Sequence, residues 1–228
     1  INNPLGGILL YGNLVLEDLP ENSTARENMR KIIHQTNRCK SIVQGLLDFS
    51  RTPTGEMHHL RINDVVKDSL NLVKDQSIFH GIEVETRFAE NLPEVNGDPS
   101  RLEEVFLNLF INAADAMKEK GGRLRITTSS TANRVKVIIA DTGKGIDPAQ
   151  LPHIFEPFFT TKDPGQGTGL GLSIAYGVIK RHGGFIDAES VPGRGTTFVV
   201  SLPSVAGGEG GAGVTALSGA LAEGIPRP

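Results

Sequence analysis

The sequence lacks any run of about eighteen apolar residues, so no segment reads as a bilayer-spanning helix, and no secretory pattern opens it. It opens on Ile1 rather than Met, which marks a fragment or a processed product whose parent could carry an anchor elsewhere. Clustered cations are also missing. The 23 Lys and Arg residues are interspersed with 26 acidic ones, for a net charge of −3. Phosphate-backbone affinity comes mainly from clustered Lys and Arg, so no nucleic-acid partner is expected. A single cysteine, Cys39, excludes an internal disulfide and a Cys-rich metal site, and fits a reducing, cytosolic setting. Its place in an apolar helical stripe predicts a buried packing residue rather than a reactive thiol.

What is present suffices for an ordinary domain plus a smaller one: 38% of the 228 residues are hydrophobic. Residues 1–51 read as two helices. Leu5, Ile8, Val15 and Leu19 share a face of the first, Pro4 suits its opening turn, Gly6, Gly7 and Gly12 weaken it, and Pro20 ends it. Thr24 with Glu27 predicts a capping box for the second. There Met29, Ile32, Thr36, Cys39, Val43 and Leu46 alternate at three and four residues, the spacing of a bundle helix. Two helices bury little apolar surface, which predicts pairing with a second copy into a four-helix bundle.

Pro53 and Gly55 break the period, so 52–59 reads as a linker. From Leu60 to Pro203 the pattern mixes elements: a helix through Val65, Leu70 and Val73, a strand from Ile82 to Phe88, and a helix from Pro99 to Met117. Strands over Arg123–Thr128 and Val135–Ala140 flank the turn Ser129–Asn133, and a helix from Leu172 to Arg181 precedes strands Phe185–Glu189 and Thr196–Leu202. The fold class is α+β, a helical hairpin followed by an α/β sandwich. Residues 204–228, rich in Gly, Ala and Ser, read as a disordered tail.

Four clusters carry chemistry. Asn108 and Asn112 lie four apart on one helical face. An amide oxygen there is a reasonable ligand for Mg²⁺ already holding triphosphate oxygens, and two solvated asparagines is the plain alternative. Asp141-Thr142-Gly143-Lys144-Gly145 follows a strand. Its carboxylate can accept from an adenine amino group while the glycines let backbone approach a flat base; a simple turn is the alternative. Phe155-Glu156-Pro157-Phe158-Phe159-Thr160-Thr161-Lys162 places clustered phenylalanines on a loop. Gly165-Gln166-Gly167-Thr168-Gly169-Leu170-Gly171 leads glycine-rich backbone into a helix N-terminus, which favours phosphate, although the spacing is not that of a Walker loop.

In this order the four clusters resemble the ATPase domain of sensor histidine kinases, most closely the nitrogen-regulator-like branch, over roughly Ile1 to Pro203. The resemblance implies the Bergerat fold, ATP and Mg²⁺ as cofactors, and phosphoryl transfer to a histidine for relay to a response-regulator receiver domain. It implies that Asn112 coordinates Mg²⁺, that Asn108 lies beside the phosphates, and that Asp141 recognises adenine, with Gly143 and Gly145 shaping the base pocket. Gly167, Thr168, Gly169, Leu170 and Gly171 would line the triphosphate, with Lys162 a further phosphate contact and Thr196 near the adenine. Ile1-Asn2-Asn3-Pro4-Leu5 looks like the end of the phosphoacceptor box His-Glu-Ile-Asn-Asn-Pro-Leu, so the acceptor would immediately precede Ile1, and the chain as given would bind ATP without phosphorylating itself. Asn3 is then a candidate for orienting water in phosphatase action, or simply a helix cap. The expected setting is cytoplasmic, with a homodimer through the N-terminal helices and no membrane contact by this segment. Another ATPase of the same superfamily and a nucleotide-binding signalling scaffold are the competing readings.

Overall fold

The computed structural model describes residues 2–50, 56–162 and 167–205. Arg51, residues 52–55 of the expected linker, Gly165 and Gln166 of the glycine-rich run, the Leu46 side chain and the tail from residue 206 lie outside the described residues. Two compact units are distinguished, Ile1–Thr54 with Glu156–Ile174 and Gly55–Phe155 with Ala175–Pro228. Each is described by itself.

In the first unit, α1 (Asn2–Asp18) and α2 (Thr24–Ser50) form an antiparallel hairpin. Leu5, Leu9, Leu16 and Leu19 are half-buried against α2. Gly12 is buried, and a Cβ there would lie 3.1 Å from the Ile33 side chain, so this glycine lets the helices approach closely. Ile8 and Val15, expected on the packed face, are instead 46% and 42% exposed. Cys39 is exposed as well, against expectation. The reason is geometric: a single neighbouring helix covers only the stripe through Met29 and Thr36, and Ile32 and Cys39, seven apart, lie on the stripe left open. The cap also differs by one position. Ser23 Oγ accepts the Arg26 N–H at 3.1 Å, because the turn that bonds Ser23 N–H to Pro20 O at 3.1 Å sets Ser23, not Thr24, ahead of the first helical residue. Glu27 pairs with Lys31 at 2.6 Å on the surface.

In the second unit, β1 (His58–Leu60) pairs with β3 (Val95–Gly97), so His58 and His59, read as linker, are strand residues. Between them come α3 (Ile62–Val73) and β2 (Ile82–Arg87), and after them α4 (Pro99–Met117), β4 (Gly122–Thr131), β5 (Arg134–Asp141), α5 (Gly171–Arg181, in this unit from Ala175 on), β6 (Phe185–Val191) and β7 (Gly195–Pro203). The five-stranded sheet runs β2-β4-β5-β7-β6, parallel only at β2–β4. β4 and β5 extend further than expected, to a turn of two residues, Ala132 and Asn133. One face of the sheet supplies the core: Leu124 and Ile126, Val135, Val137 and Ile139, and Phe198, Val200 and Leu202 are all nearly inaccessible. Against it lie the apolar stripes of the helices, Ile62, Val66, Leu70 and Val73 from α3 and Leu102, Val105, Phe106, Leu109, Phe110, Ala113 and Met117 from α4. This is the expected two-layer sandwich.

Candidate functional site

The helix α4 is started firmly. Pro99 occupies its first position, and Asp98 Oδ1 accepts the N–H groups of Ser100 and Arg101 at 3.0 and 3.2 Å. The Asp98 N–H itself donates to His182 Nε2 at 3.0 Å, while His182 Nδ1 lies 2.8 Å from Val178 O. Nε2 must accept, so Nδ1 carries the proton and the buried ring is neutral with both nitrogens bonded. With its apolar stripe turned to the sheet, α4 presents Asn108 and Asn112 half-buried on another face. One turn further along the same row is Ala116, whose carbonyl accepts the Lys144 N–H at 3.0 Å. The loop that follows Asp141 is thus tied to the end of the asparagine row, and the second unit brings the two clusters to one side of the sheet.

The loop is shaped by close approaches rather than by open glycine flexibility. A Cβ at Gly143 would lie 2.7 Å from both the Cβ and the carbonyl oxygen of Ala116. Gly145 has φ +69°, and a Cβ there would overlap the Val191 carbonyl. Thr142 Oγ1 accepts the Arg123 N–H at 2.9 Å, fixing the loop to β4.

Asp141 ends β5 on the core face of the sheet and is 7% exposed. Its Oδ1 accepts the Gly143 N–H at 2.8 Å and the Thr196 N–H at 3.3 Å. Burial pushes the carboxyl up to about 6, and the two backbone donors hold it down only in part. A carboxylate with one oxygen held by backbone and buried in this way is arranged to accept a hydrogen bond from a ligand on the other. Thr196, at the start of β7, is also buried, and its hydroxyl lies 2.9 Å from Ser190 Oγ. Ser190 was invisible to sequence reasoning: a lone serine in a strand has no motif, and only the β6–β7 register sets it opposite Thr196.

In the other unit, Gly167, Thr168, Gly169 and Leu170 run directly into α5 at Gly171. Leu170 N–H donates to Thr168 Oγ1 at 3.3 Å, and Ser173 Oγ donates to Leu170 O at 2.9 Å. Gly169 has φ +68° and its carbonyl accepts the Phe158 N–H at 2.9 Å, so the phenylalanine loop and the glycine loop are clasped together. Phe158 takes φ +69°, which is strained for a bulky side chain. Lys162 N–H donates to Thr160 Oγ1 at 3.2 Å, beside Gly167. Asn3 is exposed in the first turn of α1.

Residues 97–206 match the family described as histidine kinase-, DNA gyrase B-, and HSP90-like ATPase, and residues 1–55 match the His kinase A phospho-acceptor domain. The sensor histidine kinase ZraS of Salmonella typhi is 34% identical over 206 residues, 90% of this chain and 44% of that protein. The chain therefore spans less than half the length of this relative. Full-length ShkA in complex with AMPPNP superposes with a TM-score of 0.69 at 26% identity, over 89% of this chain and 43% of that one. The histidine kinase ThkA in complex with the response regulator TrrA gives 0.68 at 26% identity, over 90% and 58%. These matches are to sensor kinases at large and do not single out the nitrogen-regulator-like branch.

Proposed function

The chain belongs to the sensor histidine kinase family, and we propose on that premise that it is a protein-histidine kinase core that binds Mg·ATP and directs the γ-phosphate to a histidine. The observation that carries this reading is Asp141: buried, its Oδ1 held by two backbone N–H groups, its other oxygen left to meet an adenine amino group. Asn108 and Asn112 supply neutral amide oxygens on a half-buried helix face, beside the loop that Asp141 opens. Such a donor set fits Mg²⁺ that brings phosphate oxygens and waters with it, with Asn112 its protein ligand and Asn108 against the phosphates. When bound, the ion neutralises charge on the triphosphate.

The chain's own residues do the positioning, which supplies most of the catalysis in such transfers. Gly143 and Gly145, seated against Ala116 and Val191, hold the loop that shapes the base pocket, and Thr196 stands beside Asp141. The backbone of Gly167, Thr168, Gly169, Leu170 and Gly171, at the N-terminus of α5, suits phosphate oxygens, and Lys162 adds a cation. The hairpin is the dimer element and presents the acceptor face, and Asn3 on its first turn orients water for dephosphorylating a receiver-domain aspartate. Among the described residues no helix is long and apolar enough to cross a membrane. ATP use argues for a cytoplasmic setting.

The test is label from γ-labelled ATP on the chain extended by His-Glu ahead of Ile1, with and without Asn112→Asp. Acid-labile, alkali-stable label that Asn112→Asp abolishes is the expected result. ATP binding without any label points instead to a nucleotide-binding scaffold.

A further inference from the structure

The hydroxyls of Ser190 and Thr196 form a junction whose hydrogen-bond directions can be counted. Ser190 Oγ accepts the Ile146 N–H at 2.8 Å. Its single proton goes to the Gly195 carbonyl at 2.9 Å, which can only accept. The remaining 2.9 Å contact, to Thr196 Oγ1, is then a hydrogen bond only if Thr196 donates. Ser190 is thereby complete, and the one proton of the Thr196 hydroxyl is used. What Thr196 can still offer is lone pairs.

Asp141 is its neighbour. Ala140 pairs with Thr197 in the β5–β7 ladder, so Asp141 and Thr196 follow as the next positions across, both on the core face of the sheet at its end. An ionised Asp141 is acceptor-only, and its Oδ1 is already engaged by Gly143 and Thr196 backbone donors. Two acceptors thus stand side by side. A 6-aminopurine brings two N–H donors to such a pair, whereas a 6-oxopurine brings a carbonyl oxygen, and acceptor would face acceptor in a buried place.

We propose that Ser190 is a specificity-determining residue of the site: by taking the Thr196 hydroxyl proton it leaves an acceptor pair that admits adenine and turns away guanine or hypoxanthine. The inference rests on the nucleotide reading above and adds the origin of base choice. Removing the Ser190 hydroxyl releases the Thr196 proton, which can then be donated to a 6-oxo group.

The experiment is titration of the full 228-residue chain with Mg·ATP and Mg·ITP at about pH 8, where Asp141 is ionised. Ser190→Ala is expected to narrow the ATP-to-ITP affinity ratio about tenfold, mainly by strengthening ITP, and Ser190→Thr to keep the wild-type ratio. Thr196→Val, which preserves shape without a hydroxyl, weakens ATP without weakening ITP, and this holds even if the serine variant fails to fold. Parallel weakening of both nucleotides in the variants overturns the inference, since loop packing alone would do that. A wild-type chain that binds ATP no better than ITP overturns it too. A wild-type chain that binds neither sinks the nucleotide-site reading itself and is told apart on that ground.

Discussion

With Asp141 as the proposed adenine acceptor, ligand binding and stability stand in opposition. Its folded value of about 6 lies above the ordinary 3.8, so between those values the folded chain holds more protons than the unfolded one. The contribution of this group is therefore fully present below about pH 4 and is lost as pH rises through about 6, by on the order of 2–3 kcal/mol. Asp141→Asn removes the buried charge while its amide oxygen can still accept from Gly143 and Thr196. The variant is expected to raise the urea midpoint of the unliganded chain at about pH 8, to leave it unchanged near pH 4, and to weaken ATP about tenfold or more at neutral pH. Wild-type ATP affinity should fall below about pH 6, as the carboxyl is protonated and loses an acceptor. An equal stability gain at both pH values would show that the buried charge is not the cause. The identity of Asp141 was legible in the sequence from its place after a strand and before two glycines. The reason those glycines are required was not: Gly143 and Gly145 yield to the Ala116 and Val191 backbones, which lie 27 and 46 residues away in the chain, numbers that follow from their positions.

The asparagine helix depends on a histidine that no motif singles out. His182 follows the last turn of α5, yet its Nε2 accepts the N–H of Asp98, the cap of α4. His182→Ala leaves that buried N–H without an acceptor, which costs about 1–3 kcal/mol, and loosens the N-terminus of the helix that carries Asn108 and Asn112. Chemical denaturation should show the stability loss, and ATP titration a weaker affinity. A stability loss with unchanged ATP affinity would confine His182 to the core. At this scale the long periodic elements were the readable ones. Residues 99–117 read as helix because Pro sits at the start and the apolar stripe persists for five turns. The strands β1 and β3 are three residues each, too short to carry a period, and they form only because each pairs with the other across an intervening helix and strand. The hairpin shows the opposite failure: its period is legible, but each helix holds two stripes, one facing the other helix and one facing outward, and a sequence pattern alone does not divide them.

That outward stripe bears on association between copies of the chain. Ile8, Tyr11, Val15 and Ile32 are between 42% and 67% exposed and, with Pro4, Gly7, Gly12 and Met29, line an open apolar groove along the hairpin. A contiguous apolar groove of this kind is unfavourable in water, and a hairpin of two helices has little other apolar surface to bury. A second hairpin laid into it would complete a four-helix bundle, with the same residues facing one another across a two-fold axis. Stability of the hairpin should then depend on protein concentration, as for any element held by association, whereas the sheet unit should respond to ATP. Tyr11→Glu combined with Ile32→Glu places like charges on both sides of that axis. Sedimentation velocity should report a monomer, circular dichroism a loss of helix, and ATP titration a retained affinity, because Asn108, Asn112, Asp141 and Thr196 belong to the other unit and neither substitution touches the loop of Lys162 and residues 167–171 that shares the hairpin's unit. If the double variant still sediments as a dimer, the contact between copies lies on a different face. If the variant is monomeric but also loses ATP, the hairpin acts on the nucleotide site as well as on assembly, and the loop of Lys162 and residues 167–171, which shares its unit, is the first place to look.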